Sequence, residues 1–352
     1  FTNRIAIAPS DTNRVGTYIQ TDFRPTEISP WSFILGMRLD YYQVKPELSS
    51  DYLERINRLS QSSTAFQPAK SLDNLTLAPR LDIKYDLTQD SRIYAKYSRG
   101  VRNPTAEEVS MIFDHPAIGG SPAGSLTLPN PDLREESSNA YEIGYKYLNE
   151  NVKFQASSFY TRYSDFIENG ATTGQQTPEG QDILTTANRG SATIYGFEFS
   201  GDVNLAIFNK HLESFEAGLS TGKTWGVNED DNTWINSIEP WKSVAWLGYS
   251  SESDKFSTRL TATYVDDVKR VNDADGGPYF RPPSYFTLDI SASYQINDSL
   301  SFQAGINNIL DKKYWKWSNS RRSGGHLQNA NAVDDRSTAA GTNGFLSLEY
   351  SF

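Results

Sequence analysis

The stretch LTLAPRLDIKYDL, Leu75 to Leu87, alternates with period two along its whole length. Leu75, Leu77, Pro79, Leu81, Ile83, Tyr85 and Leu87 fall on one side, and Thr76, Arg80, Asp82, Lys84 and Asp86 on the other. A helix would repeat at about 3.6 residues, so this segment is a strand. The charged row is the informative one. Arg, Asp and Lys on an inner face suit a water-filled lumen better than the packed interior of a sandwich, which leaves the apolar row for lipid.

The rest of the chain repeats the pattern. Trp31 to Val44 sets Phe33, Leu35, Met37, Leu39 and Tyr41 against Ser32, Gly36, Arg38 and Asp40, with Ile34 the exception. Strands are expected at 12–26, 31–44, 75–87, 91–100, 137–147, 152–168, 191–205, 211–227, 241–250, 255–267, 284–296, 300–312 and 344–352. Residues 1–11 read as the end of a loop, and the polar segment 45–74 carries at most a helical turn around 53–59.

Short turns at Pro25–Pro30, Thr88–Asp90, Leu148–Asn151, Ala206–Lys210, Glu252–Asp254 and Asn297–Ser299 alternate with long connections at 44–74, 101–136, 169–190, 228–236, 268–283 and 313–343. Outer-membrane barrels have short periplasmic turns and longer extracellular loops, so the long connections belong outside. The strand count of about 13 is odd, whereas single-chain bacterial barrels have an even number. The expected fold is therefore all-β, a transmembrane antiparallel up-and-down β-barrel, with residues 1–352 the C-terminal part of a larger one.

Composition agrees. Aromatic residues make up 13% of the 352 residues, and mean hydropathy is −0.57. No apolar run approaches the roughly 20 residues of a spanning helix. Tyrosines near strand ends, among them Tyr85, Tyr97, Tyr147 and Tyr294, suit interfacial girdles. The absence of Cys excludes thiolate metal sites and thiol redox chemistry. A net charge of −10 argues against a nucleic-acid surface. Phe1 is not preceded by a basic or apolar leader, so a signal peptide is either removed or upstream.

The connection from Arg99 to Glu136, RGVRNPTAEEVSMIFDHPAIGGSPAGSLTLPNPDLREE, is rich in the Pro, Gly and Asn of fixed loops and holds one of three histidines. His115 is followed by Pro116, which biases it to extended geometry, and preceded by Met111, Ile112 and Phe113, apolar surface in a loop facing water. A lone loop histidine is more often a bystander than a ligand. His326 lies in the last long connection near Arg321 and Arg322, and His211 beside a short turn, where solvation is the simpler reading. The acidic runs Glu229–Asp231 and Asp266–Asp267 offer oxygens to Ca²⁺, but a solvated charge run explains them as well.

Val101-Arg102-Asn103-Pro104 and Asn130-Pro131-Asp132-Leu133 flank His115, and Asn308 to Ser318 reads NILDKKYWKWS before the chain stops at Phe352. In these features the chain resembles TonB-dependent outer-membrane receptors of the haem, haemophore or haemoglobin type. There, a Phe-Arg-Ala-Pro box and an Asn-Pro-Asn-Leu box bracket a loop histidine that binds haem iron. The resemblance implies that His115 supplies an axial ligand, with Met111 and Phe113 against the porphyrin. His326 is the weaker ligand candidate, with Arg321 and Arg322 as propionate partners.

The resemblance further implies 22 strands in all, an N-terminal plug that this sequence does not contain, and a TonB complex engaging through that missing part. Counted back from Phe352, the His115 loop would be the seventh extracellular loop. The implied cargo is haem, taken free or from a haemophore or haemoglobin, and the implied location is the bacterial outer membrane, in contact with its lipid.

Siderophore receptors share the terminal strand without the bracketed histidine, and a passive porin shares the barrel without a plug. An enzyme needs a nucleophile, a base and an orienting group, and with three scattered histidines, no Cys and no His-Glu-x-x-His nothing assembles. Enzymatic activity is not expected.

Overall fold

The computed structural model describes residues 5–54, 68–115, 124–273, 279–324 and 337–351. Its strands are β1 (Ile5–Ala6), β2 (Ser10–Phe23), β3 (Trp31–Pro46), β4 (Leu72–Asp86), β5 (Ser91–Arg102), β6 (Ile112–His115), β7 (Ser125–Leu128), β8 (Glu136–Leu148) and β9 (Val152–Gln176). They continue with β10 (Asp182–Asn204), β11 (Phe215–Asn228), β12 (Thr233–Trp234), β13 (Lys242–Ser250), β14 (Phe256–Val265), β15 (Tyr285–Asn297), β16 (Leu300–Asn307) and β17 (Asn343–Tyr350). Apart from the short β1, β6, β7 and β12, these are the thirteen strands expected from the alternation, hydrogen-bonded in chain order as one antiparallel meander.

The wall is inverted relative to a water-soluble sheet. Ile19, Leu75 and Leu346 are 73%, 63% and 75% exposed, whereas Asp82 on the opposite face is 2% exposed. Period two forces this arrangement, because a strand that gives one face to lipid must give the other to the lumen. Luminal charges are paired in place. Arg38 grips both oxygens of Asp40 at 2.5 and 2.7 Å, and Arg80 grips both of Asp82 at 2.9 and 2.6 Å. Bidentate pairing satisfies carboxylates that burial would otherwise penalise. Luminal aromatics lie across glycines of the neighbouring strand: a Cβ at Gly144 would run into the Tyr94 ring, and one at Gly218 into Trp246.

Outward-facing aromatics form two levels. Tyr97, Tyr141, Tyr160, Tyr195 and Trp225 sit in register across five adjacent strands as one unbroken row. Near the short turns lie Trp31 with Tyr85, Tyr147 with Phe154, and Phe215 with Tyr249. On β14 and β15 the pairs Tyr264–Phe286 and Phe256–Tyr294 mark both levels eight residues apart. At ~3.4 Å per residue and ~40° tilt, that separation climbs about 21 Å, close to the ~25 Å apolar band of an outer-membrane barrel.

The outer edges of β2 and β17 carry no strand register among the described residues, and nearly every residue of both strands is exposed. The wall is an arc with two free edges.

Five expectations need correction. Residues 169–190 are not a loop: β9 and β10 continue as a hairpin to the turn 177–181, because another strand pairs along it. The segment 1–11 includes β1 and the start of β2. Helix in the 45–74 connection runs over 50–54, and 55–67 lie outside the described residues. His211 belongs to a 3₁₀ turn, Lys210–Leu212, and β11 starts only at Phe215.

β16 ends at Asn307 rather than Lys312, because Asn308 and Asp311 adopt φ of 51° and 48°. Asn308, 3% exposed, accepts the Lys312 N–H at 2.9 Å and donates to the carbonyls of Lys312 and Ala340 at 2.9 and 3.2 Å. Thr342 returns the link, donating through Oγ1 to the Asn308 carbonyl and through N–H to Asp311. The 308–342 connection is thereby closed at its base.

Two outcomes follow. With no native Cys, a Thr88→Cys protein on intact cells should resist a membrane-impermeant thiol label while Asp182→Cys reacts; labelling of Thr88→Cys from outside would reverse the assigned orientation. Asn308→Ala should cost about 2–4 kcal/mol, since it strands buried partners at a left-handed position. The check is the temperature at which the purified barrel loses its compact electrophoretic form, and an unchanged midpoint contradicts the assignment.

Candidate functional site

The connection 103–135 is built rather than loose. Helix α1 (Ala106–Ser110) opens with a capping box in which Thr105 and Glu108 satisfy each other's backbone N–H. β6 and β7 then form a hairpin with Phe113 opposite Thr127 and His115 opposite Ser125. β1 joins the free edge of β6, and β7 runs parallel to residues 182–185 of β10. The small sheet therefore has the order β1, β6, β7, β10, β9, and grows out of the barrel's own hairpin.

Its interior face carries an apolar cluster of Ile112, Leu126, Leu128 and Ile183 with Ala8 and Tyr52. A second cluster joins Val44, Val109, Leu133 and Ile167 with Tyr42 and Ala69. Both lie at the long-loop end. Buried hydroxyls close the seams: Tyr52 donates to the Ser110 carbonyl at 2.7 Å, and Tyr42 to that of Pro104 at 2.8 Å. Burial pushes the Tyr52 phenol well above its ordinary range.

The two boxes act as struts of this unit. Arg102 holds both oxygens of Glu108 at 2.9 and 3.0 Å and reaches Glu136 at 3.1 Å, while Glu136 also accepts the Ile167 N–H. Asn103 accepts from Asn74 at 3.2 Å, and Pro104 is fully buried. Asn130 donates to the Thr186 carbonyl at 2.9 Å and accepts the Asp132 N–H, closing the turn through Pro131. Asp132 is exposed beside Lys70, and Leu133 is 2% exposed in the second cluster.

His115 closes β6 on the face opposite the cluster that holds Ile112. Its ring lies 4.0 Å, centroid to centroid, from that of Phe113, two residues back on the same face, and both are half-buried. Met111, also half-buried, caps α1. The apolar run 111–113 is therefore divided: Ile112, 1% exposed, belongs to the core, while Phe113 flanks the histidine. Pro116 and His326 lie outside the described residues, as does the Arg322 side chain. Asp114 takes a hydrogen bond from Gln181 at 3.0 Å, tying the histidine strand to the hairpin tip. No spacing rule reveals that contact, because it depends on the strand pairing.

The remaining long connections interlock through aromatics. Trp317, at the start of α2 (Trp317–Gly324), donates to the Asn236 carbonyl at 2.8 Å, and its ring meets Tyr279 at 5.9 Å. Asn236 and Asn272 exchange hydrogen bonds at 2.9 and 2.8 Å. Arg321 on α2 acts on Glu239: burial pushes the Glu239 carboxyl up, and Arg321 and Lys242 draw it part of the way back. The acidic runs have protein partners. Glu229 takes Thr193, Ser191 and Arg162, and Asp267 takes Lys269 at 2.9 Å.

The model of the TonB-dependent receptor-like β-barrel matches residues 2–309. A haemoglobin-haptoglobin utilization protein B of Neisseria meningitidis serogroup C is 30% identical over 286 residues, 74% of this chain and 34% of its own length. Haemoglobin-binding protein A of Haemophilus influenzae is 28% identical over 358 residues, 89% of this chain and 34% of its own. The chain thus spans about a third of the length of these relatives.

Among solved structures, copper transporter OprC superposes with a TM-score of 0.73 at 18% identity, over 97% of this chain and 48% of that one. A ferric enterobactin receptor of Pseudomonas aeruginosa gives 0.68 at 15%, over 97% and 54%. With a wall lipid-facing outside and charged within, and long connections gathered at one end, this chain belongs to the TonB-dependent receptor β-barrel family of the outer membrane.

Proposed function

We propose that this chain is the C-terminal barrel portion of a receptor that takes haem, free or from a haemoglobin-type carrier or haemophore, at its extracellular loops and passes it inward with TonB-supplied energy. The observation that carries the reading is His115, half-buried beside Phe113 on one face of a sheet whose other face is locked into an apolar core. An imidazole suits haem iron, and a rigid strand end with an adjacent aromatic ring suits a porphyrin face. The names of the relatives, which refer to haemoglobin and haptoglobin, support the same cargo.

The two edges that carry no register among the described residues support the wider proposal of a 22-stranded barrel with a plug, since an unpaired backbone group in hydrocarbon costs several kcal/mol and further strands would cover β2 and β17. The plug, a second axial ligand and the TonB contact belong to that remainder.

Haem titration of the intact receptor and its His115→Ala variant, followed by Soret absorption and low-temperature spin-state spectroscopy, tests the ligand. His115→Ala should weaken binding by about tenfold and change the spin state; an unchanged six-coordinate low-spin signal excludes His115. Energy coupling has its own check. Uptake through the intact receptor should stop when the proton gradient is collapsed, and persistent uptake, or steady open conductance in a reconstituted bilayer, would identify a passive pore.

A further inference from the structure

An asparagine followed by glycine is prone to lose its side-chain amide, because glycine leaves the next backbone nitrogen uncrowded and the chain free to turn. The sequence holds two such steps, Asn169-Gly170 and Asn343-Gly344. Their settings differ. Asn343 lies opposite Asn307 and Gly344 opposite Ile306 in the unbroken ladder of β16 and β17. The Asn343 amide is tied at both ends, its Oδ1 accepting from Asn307 at 3.0 Å and its Nδ2 donating to the Gly341 carbonyl at 2.8 Å.

Asn169 and Gly170 form a bulge. Glu168 pairs with Ala187 and Ala171 with Thr185, so these two residues of β9 face the single residue Thr186 of β10. A bulge leaves its extra residue unpaired and releases the backbone from the ladder. Gly170 takes a φ of 79°, and a Cβ built on it would meet nothing within 4 Å. The Asn169 amide is held at one end alone. Thr186, 2% exposed, donates its hydroxyl to Asn169 Oδ1 at 3.0 Å, and Asn169 Nδ2 has no hydrogen-bond partner among the described residues. Asn169 and Gly170 are themselves exposed to solvent.

We propose that Asn169 is a modification site, converted spontaneously to aspartate and isoaspartate. The Gly170 nitrogen gives its proton to hydroxide and attacks Asn169 Cγ, and the Thr186 hydroxyl stabilises the negative charge that gathers on Oδ1. The Cγ–Nδ2 bond then breaks, and the amide nitrogen takes a proton from water and leaves as ammonia. Water opens the succinimide that remains. Attack at Cγ restores the ordinary chain with an aspartate side chain; attack at the main-chain carbonyl leaves the chain running through Cγ as isoaspartate, one carbon longer. The bulge has room for that carbon, since it already sets two residues against one. Either product adds a negative charge to the hairpin that carries β7, next to the threonine whose carbonyl holds Asn130.

The test ages the intact receptor, folded in detergent, at mildly alkaline pH in heavy-oxygen water, then digests it and maps the peptides by mass spectrometry, with isoaspartate located by electron-transfer fragmentation. Asn169 should convert at least about tenfold faster than Asn343, take up solvent oxygen and yield both products. In the urea-unfolded receptor the two rates should converge. Equal rates in the folded receptor, or faster loss at Asn343, overturn the proposal and need no variant to fold. A difference that persists in urea overturns the role of the bulge. Thr186→Val should slow conversion at Asn169 by about fivefold, the worth of one hydrogen bond, and an unchanged rate in that variant overturns the part assigned to the hydroxyl.

Discussion

A wall in lipid has no water to satisfy its backbone, so every N–H and C=O within the hydrocarbon must find its partner in the next strand. Much else in this molecule follows from that constraint. Thirteen strands pair edge to edge in chain order, the alternation of each strand assigns one face to lipid, and polar side chains must settle their charges on the other. Arg38 with Asp40 and Arg80 with Asp82 do so along single strands, two residues apart on one face. The thin wall leaves no room for an apolar interior. The packed clusters, around Ile112 and around Val109, accordingly lie in the loop assembly at one end.

That displacement changes how the loop motifs are understood. Pro104 and Leu133 are buried, and Arg102 and Asn130 spend their polar groups on the protein itself; together they hold the loop assembly to the barrel rim through Glu136, Tyr42, Thr186 and the Leu133 cluster. Their value to the site is indirect, because they fix the strand on which His115 stands. A histidine at the end of a four-residue strand has little positional precision by itself. Paired with β7, which is paired in turn with β10, it inherits the precision of the barrel.

The wall was legible in the sequence because lipid imposes a strict period on it: Leu75–Leu87 alone discloses strand, lipid face and lumen face. The alternation of short turns and long connections disclosed in the same way that the long connections gather at one end. What escaped was structure that depends on a partner. Residues 169–190 are Thr-, Gly- and Gln-rich and stand beyond the bilayer, where no hydrophobic alternation is demanded, and their strand character comes from pairing with each other and with β7. Ile112 looked like exposed apolar surface because its cover, Tyr52 and Ile183, comes from two distant segments.

The clasp at Asn308, Asp311 and Thr342 bears on how such a chain can vary. Entry and exit of the last long connection are tied within the clasp, and the strands on either side are in register from Asn307–Asn343 downward. The entropy of closing the intervening loop grows only with the logarithm of its length, about 0.6 kcal/mol per doubling. Changes of length between Gly324 and Ser337, beyond the packed Tyr314 and Trp317, are therefore cheap for the barrel. The outermost surface can diverge while the membrane wall beneath it keeps the same register.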